Sequence, residues 1–156
     1  MKSTTSEAHQ VAVSRSPRCP PFVLFSGREI AGLARLLLDV LGLSHAGLEI
    51  ELTGDREIAR LNASFLGCAG PTNVLSFESD DPGGSCLGHI VLSVEAVERE
   101  ARLYGQGRQE HFLRLLAHGL LHVAGFEHGE AMDELTDQAV AHGLRHVREG
   151  KMPLQE

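Results

Sequence analysis

Three histidines lie close together in the segment HGLLHVAGFEH, residues 118 to 128. His118 and His122 are four residues apart, so on a helix they would lie about 40° apart around the axis, one turn from each other. Gly125 lies where such a helix would end. A left-handed glycine there would return the chain and bring His128 to the other two. The spacing therefore predicts that three imidazoles meet at one point.

Three imidazoles at one point can hold a metal ion, because a histidine ring nitrogen binds zinc at about 2.0–2.1 Å. Three protein ligands leave an open position, as in catalytic rather than structural zinc sites. We therefore predict one divalent ion, zinc before others, with His118, His122 and His128 as metal ligands and catalytic residues. Imidazole also suits other divalent metals, so the ligand types do not fix the metal. The alternative, three core histidines satisfied by hydrogen bonds, is disfavoured by the regular spacing.

The same spacing occurs in metzincin proteases, in which a catalytic glutamate follows the first histidine. Gly119 takes that place here. Without the carboxylate, the protease mechanism lacks the general base that takes a proton from the metal-bound water. A metalloprotease is therefore the weakest of the functions that this spacing allows.

Hydrophobic periodicity predicts a single α+β domain around these residues. The predicted strands are 21–26, 48–53, 72–78 and 87–93, and the predicted helices are 27–43, 56–65, 94–105, 109–124 and 130–148. The helix over 109–124 is apolar nearly all round, so we expect it to be the buried central helix that carries the histidines. These elements predict a small mixed sheet of three to four strands packed against about five helices.

Composition and the N-terminal segment favour a cytoplasmic protein. Residues 1–20 lack the apolar run of a secretory signal and are predicted to be a disordered tail, with the folded domain over 21–150. No apolar run approaches the roughly 20 residues that span a bilayer. Three cysteines without a CxxC pair fit a reducing compartment. The formal net charge of −7 argues against broad nonspecific binding to nucleic acid, although a local basic groove stays open.

Three motifs together resemble the YbeY family of bacterial endoribonucleases that mature rRNA. The histidine segment is similar to that family's HGxLHLxGYDH, with Glu127 in place of the usual Asp. Residues 71–77, PTNVLSF, match a second family motif, and Leu61-Asn62 precede it as expected. LGH at 87–89 lies where the family has LGD. Order and spacing agree over about residues 22–148.

The resemblance implies a metal-dependent endoribonuclease specific for single-stranded RNA. Its role would be in rRNA maturation, notably at the 3′ end of the small-subunit rRNA, and in ribosome quality control. It implies His118, His122 and His128 as zinc-type ligands, and single-stranded RNA, rRNA and the small ribosomal subunit as partners. A metal of this kind could polarise a scissile phosphate and lower the pKa of its bound water, while the 2′-hydroxyl of RNA is a rival nucleophile.

The sequence departs from the family pattern on the substrate side. Leu66 lies where the family usually has an arginine, a natural partner for phosphate. His89 replaces the acid of LGD and would supply a proton donor, a fourth ligand or nothing. These two changes support a second hypothesis, a metal-bound RNA- or ribosome-binding factor with weak or no cleavage.

Other polar residues have candidate roles near the predicted cleft. Thr72, Asn73 and Ser76 would line its wall, although Asn73 should point away from the other two on a strand. His111 lies too far along the helix to bind the same ion, and we assign it to the surface or to the surroundings of the site. Four arginines either form a replacement phosphate surface or, as we favour, pair with Glu98, Glu100 and Glu110. These are Arg99, Arg102, Arg108 and Arg114.

Overall fold

A computed structural model describes residues 10–43, 47–70, 72–80 and 86–150. The elements of this part are β1 (Val11–Arg15), α1 (Gly27–Val40), β2 (Gly47–Thr53), α2 (Asp55–Leu66), β3 (Val74–Glu78), β4 (Cys86–Ser93), α3 (Val94–Tyr104), α4 (Arg108–Val123) and α5 (Glu130–Arg148). The prediction of an α+β domain with three to four strands and about five helices is confirmed. No helix in these ranges is long and apolar enough to cross a membrane.

The four strands form one mixed sheet in the order β1-β2-β4-β3. β2 pairs in parallel with both β1 and β4, and β3 pairs antiparallel with β4 at one edge. Side chains alternate between the faces of the sheet. Ile50 and Ile90 belong to the main core with α1 and α4, whereas Leu75 and Val91 pack with Ile58 of α2 in a smaller cluster.

Helix α4 is the buried central helix, as predicted. Most of its side chains are buried, because it packs against α5, β3, β4 and α3. Phe112 is fully buried, and its ring centroid lies 5.5 Å from that of Phe22 and 5.3 Å from that of Phe25. A helix surrounded on this many sides needs apolar residues around most of its circumference. The C-terminal turns of the same helix carry two of the predicted ligands.

The N-terminal part of the chain differs from the prediction. Residues 21–26 form no strand. Phe22 and Phe25 are spaced by three residues and both pack against α4. The first strand is β1, whose register places Val11 opposite Leu48 and Val13 opposite Ile50. The predicted tail over 1–20 is therefore wrong for 11–15, while residues 1–9 lie outside the described residues.

Strand β1 was missed because it lies at the sheet edge opposite β3. Val11 and Val13 are half-buried against the main core, whereas Ala12 and Ser14 are exposed. A five-residue edge strand with only two half-buried apolar positions resembles a polar tail when its partner is not known. Its parallel partner β2 is separated from it by α1, so pairing depends on long-range contacts.

Candidate metal centre

The structure brings the three predicted histidines together at the C-terminal end of α4. His118 and His122 lie on the last turns of the helix and are half-buried, and His128 comes from the following loop and is exposed. One ring nitrogen from each histidine lies within 4.8 Å of those of the other two. The Nε2 atoms of His118 and His122 are 3.0 Å apart. The structure thus confirms the prediction that the three imidazoles lie close together.

The turn after α4 brings His128 close to the other two histidines, as predicted from the glycine at position 125. Gly125 has φ 94°, a left-handed conformation that costs a residue with a side chain more than it costs glycine. Its N–H donates to the carbonyl of His122, and the N–H of Phe126 donates to the carbonyl of Leu121. These bonds satisfy carbonyl groups at the helix end and reverse the chain direction.

The same turn orients the ring of His122. Its Nδ1 lies 3.1 Å from the carbonyl oxygen of Phe126, a distance at which Nδ1–H donates a hydrogen bond. In that tautomer Nε2 keeps its lone pair, and Nε2 is the atom that faces His118. Carbonyl groups orient metal-binding histidines in this way in many proteins.

The arrangement fits a tetrahedrally coordinated divalent ion. Ligand atoms bound to zinc at about 2.0–2.1 Å in tetrahedral geometry lie about 3.3–3.4 Å from each other. The 3.0 Å separation of the two Nε2 atoms is close to that distance, and one ring nitrogen of His128 lies within 4.8 Å of a ring nitrogen of each of the other two. Three neutral nitrogen donors suit zinc and several neighbouring transition metals, and are unlike the oxygen ligands of magnesium or calcium.

Burial lowers the pKa of His118 below its ordinary value. The neighbouring His122 and His128 lower it further, and only Asp133 acts in the opposite direction. A lowered pKa means that the imidazole stays neutral to a lower pH than in a free histidine. The neutral form is the one that binds a metal, so the environment of His118 favours a ligand role near neutral pH.

The three histidines lie in an open cleft of about 550 Å³. One wall is β3 with the two residues before it, and another is the turn after α4. Besides the histidines, the lining residues are Leu66, Thr72, Asn73, Val74, Leu75, Ser76, Glu78, Gly125, Phe126 and Glu127. Among these described residues there is no lysine or arginine, and the two charged side chains are carboxylates.

Three polar residues of the PTNVLSF motif all border the cleft, but they play different parts. The hydroxyl of Ser76 donates to the carbonyl of Gly119 at 3.0 Å, which ties β3 to α4 between the two histidines of the helix. The amide of Asn73 instead donates to Glu100 of α3, and its oxygen accepts the N–H of Val74. Thr72 lines the cleft just before β3 begins.

His111 is buried, at 3% exposed, so of the two positions predicted for it, the surface or the surroundings of the site, the surface is wrong. Its Nε2 lies 2.9 Å from Oε1 of Glu100 and its Nδ1 lies 3.1 Å from Oε1 of Gln106. Because Glu100 also accepts from Asn73, a continuous set of hydrogen bonds links α4, α3 and the start of β3. Sequence analysis missed the role of Glu100, since nothing local marks it among the glutamates of α3.

Replacing His111 with leucine is expected to lower the free energy of unfolding by about 1–3 kcal/mol. The reason is that the carboxylate of Glu100 loses a buried hydrogen-bond partner. Urea denaturation measures this difference. The matched control is His142→Leu at an exposed position on α5, which should change stability by less than about 0.5 kcal/mol. Equal effects of the two substitutions would contradict the assigned role.

The chain is similar to known endoribonucleases in sequence. A family model described as Endoribonuclease YbeY matches residues 28–146, more than half of the chain. This chain belongs to the YbeY family. The endoribonuclease YbeY of Oleidesulfovibrio alaskensis is 47% identical over 123 residues, which cover 65% of this chain and 73% of that protein. That of Treponema pallidum is 33% identical over 157 residues, with 93% and 96% covered.

A solved structure shares the fold. The solution structure of a protein from Thermotoga maritima matches with a TM-score of 0.64, covering 94% of this chain and 97% of its own. The two sequences are 21% identical, so this likeness concerns the fold alone. The family resemblance stated from the three motifs is confirmed by the family match.

Leu66 and His89, two residues at which this YbeY-family chain departs from the usual motifs, lie in surroundings that differ from each other. Leu66 ends α2, is 57% exposed and lines the cleft. His89 lies on β4 with its ring 6.1 Å from that of Phe77. Its neighbour Ile90 points into the main core beneath α4, so His89 points to the opposite face of the sheet. The suggestion of His89 as a fourth ligand is therefore wrong.

Gly119 also faces the sheet. A Cβ atom at this position would lie 3.0 Å from Cγ2 of Ile90 and 3.1 Å from Cγ2 of Val74. A side chain here would therefore enter the contact between α4 and the sheet. The glycine permits the close approach of helix and sheet, and it provides no equivalent of the protease glutamate.

Three of the four arginines near α3 and α4 form ion pairs, as favoured from sequence, although two of the three pair with other partners than those suggested. Arg108 pairs with Glu98 as suggested, at 3.0 Å. Arg99 pairs with Asp55 and Arg114 with Asp137, while Arg102 is exposed on α3. The hydrogen bond from Arg99, followed by that from Ser93, holds the pKa of Asp55 below its ordinary value. None of these four arginines lines the cleft.

Proposed function

We propose that this protein is a metal-dependent endoribonuclease that cleaves single-stranded RNA, with His118, His122 and His128 as metal ligands of the catalytic centre. The observation that carries the proposal is the meeting of three imidazoles in an open cleft. Membership of the YbeY family supports the choice of reaction, because its matched relatives are named endoribonucleases. The absence of a protease base at position 119 disfavours peptide cleavage.

Each part of the cleft has a separate task in this mechanism. A bound divalent ion, zinc before others, would supply a Lewis acid that polarises a scissile phosphate and lowers the pKa of a coordinated water. The carbonyl of Phe126 holds the His122 ring in the tautomer that a ligand needs. Ser76 ties β3 to α4, so that the wall and the histidines keep one relative position. The exposed His128 lies where a strand of RNA can reach it.

The cellular role proposed for the chain follows its family. The substrate would be rRNA, notably the 3′ end of the small-subunit rRNA, with the small ribosomal subunit as partner and ribosome quality control as a further role. The compartment would be the cytoplasm. The three free cysteines are in keeping with a reducing compartment.

Purified protein loaded with zinc is expected to cleave a single-stranded fragment of the rRNA 3′ end and to leave the same fragment intact when it is annealed to its complement. Removal of the metal with a chelator should abolish cleavage, and added zinc should restore it. Gel analysis of end-labelled RNA gives the readout, with casein as the protease control. Casein degradation without RNA cleavage would overturn the proposal.

A second candidate is a binding factor of the same fold that holds metal but cleaves weakly. The observation in its favour is the cleft lining, which has Leu66 at the usual arginine position and carboxylates at Glu78 and Glu127. Leu66→Arg separates the two candidates. If wild type binds zinc and cuts RNA only after this substitution, the binding factor is correct; if wild type cuts on its own, the enzyme is correct.

A further inference from the structure

Two exposed apolar side chains lie in the same cleft as the histidines. Leu66 is 57% exposed and Phe126 is 36% exposed, and both line the cleft. They come from different elements, the last residue of α2 and the turn after α4. Single exposed apolar residues are common on proteins, but two that flank a candidate catalytic centre call for a ligand with an apolar face.

Both side chains are presented by an ordered backbone. The α2 helix ends at Gly67, whose N–H donates to the carbonyl of Ala63, and so the position of Leu66 is fixed at the helix end. Phe126 donates its N–H to Leu121 and accepts the hydrogen bond from His122. The apolar groups therefore need little ordering when a ligand binds, which reduces the entropic cost of binding.

The charges of the cleft argue against phosphate as the main contact of its walls. The charged residues among its described lining are Glu78 and Glu127, with no lysine or arginine. Carboxylates repel a phosphate backbone, so RNA held here needs favourable contacts of another kind. Unpaired bases offer them, because each base has an apolar π-face that stacks on aromatic and aliphatic side chains.

We propose that Leu66 and Phe126 contact unpaired bases next to the scissile phosphate, so that the substrate strand is held by its bases rather than by cationic side chains. The inference rests on the proposed function, since it takes single-stranded RNA as the ligand of this cleft. It also gives a physical reason for selecting single strands. In a duplex the base faces are stacked on each other and cannot contact these side chains.

Two binding properties follow from contacts with bases. Loss of a contacted base should weaken binding by about 5- to 150-fold, the range that base–aromatic stacking covers. Binding should also depend weakly on salt, because few phosphate charges are neutralised by side chains. A strand held by lysine or arginine would behave in the opposite way in both respects.

The test compares a short 2′-O-methyl oligouridylate with an abasic oligomer of the same length and charge, both fluorescently labelled. Fluorescence anisotropy with the zinc-loaded protein gives the two dissociation constants, and a gel confirms that the oligomers stay intact. Wild type should prefer the oligomer with bases by about 5- to 150-fold. Leu66→Ser and Phe126→Ala should each remove most of that preference.

The matched control is Leu103→Ser, a leucine that is 73% exposed on α3 and does not line the cleft. This variant should keep the preference of wild type. Zinc content and circular dichroism are measured for every variant, and if Phe126→Ala loses zinc, Leu66→Ser decides the result. Equal binding of both oligomers by wild type, or binding of neither, would overturn the proposal.

Cleavage of unmodified RNA by wild type is scored separately from binding. A preference for bases without cleavage would overturn the proposed nuclease and leave the base contacts standing. Cleavage without a preference for bases would overturn the base contacts and leave the proposed nuclease standing. The two proposals can therefore fail independently.

Discussion

Replacing His122 with alanine is expected to abolish both zinc binding and RNA cleavage. The substitution removes a proposed ligand whose ring centroid lies 4.5 Å from those of both His118 and His128. Mutation of residues that only orient a ligand typically costs 10- to 100-fold in metal affinity or activity, so loss of the ligand itself should exceed about 100-fold. Bound zinc measured by mass spectrometry and initial cleavage rates are the two readouts.

The control for this prediction is His142→Ala, which removes an exposed imidazole from α5. It should keep the zinc content and cleavage rate of wild type. Circular dichroism shows whether His122→Ala still folds, and we expect that it does, because the His122 ring is only half-buried. A folded His122→Ala protein that keeps zinc and activity would rule out the three-histidine centre.

Replacing Phe112 with alanine is expected to lower the free energy of unfolding by about 3–5 kcal/mol, the range for removal of a buried aromatic ring. Phe112 is fully buried, at 0% exposed, and its ring packs against the rings of Phe22 and Phe25. Its removal leaves a cavity between α4 and the segment before α1. Because single domains of this size have only about 5–15 kcal/mol of stability, most of it would be lost.

The control for the core prediction is Val23→Ala. Val23 lies between the two phenylalanines in sequence but is 90% exposed, so its truncation should change stability by less than about 0.5 kcal/mol. Chemical denaturation of both variants measures the difference. Similar losses for the two would mean that residues 22–25 do not pack as the structure describes. The two variants together test the packing of residues 21–26, for which the prediction of a strand was wrong.

The helices and the ligand spacing were predictable because they depend on neighbours in sequence. Helix α1 begins after Ser26, which forms a capping box with Glu29, and α2 ends at the left-handed Gly67. His118, His122 and Gly125 lie within one helix and its terminal turn, so regular helix geometry sets most of their separation. This locality is why the meeting of the imidazoles could be predicted without a structure.

Residues whose partners are distant in sequence were not predictable in the same way. Glu100 is one of several glutamates on α3 until the fold places it between His111 and Asn73. His89 could not be assigned to a face of the sheet until the register of β4 was known. In both cases the local sequence allowed several outcomes, and packing selected one.

The sequence by itself determined the family, the order of the helices and the three histidines, because periodicity, caps and motif spacing are local properties of the chain. The tertiary structure decided which segment forms β1, which carboxylate holds His111 and which side chains line the cleft around the histidines. The physical reason is that edge-strand pairing, buried hydrogen bonds and cleft walls arise from contacts between distant segments. Such contacts form only when the whole domain buries its core.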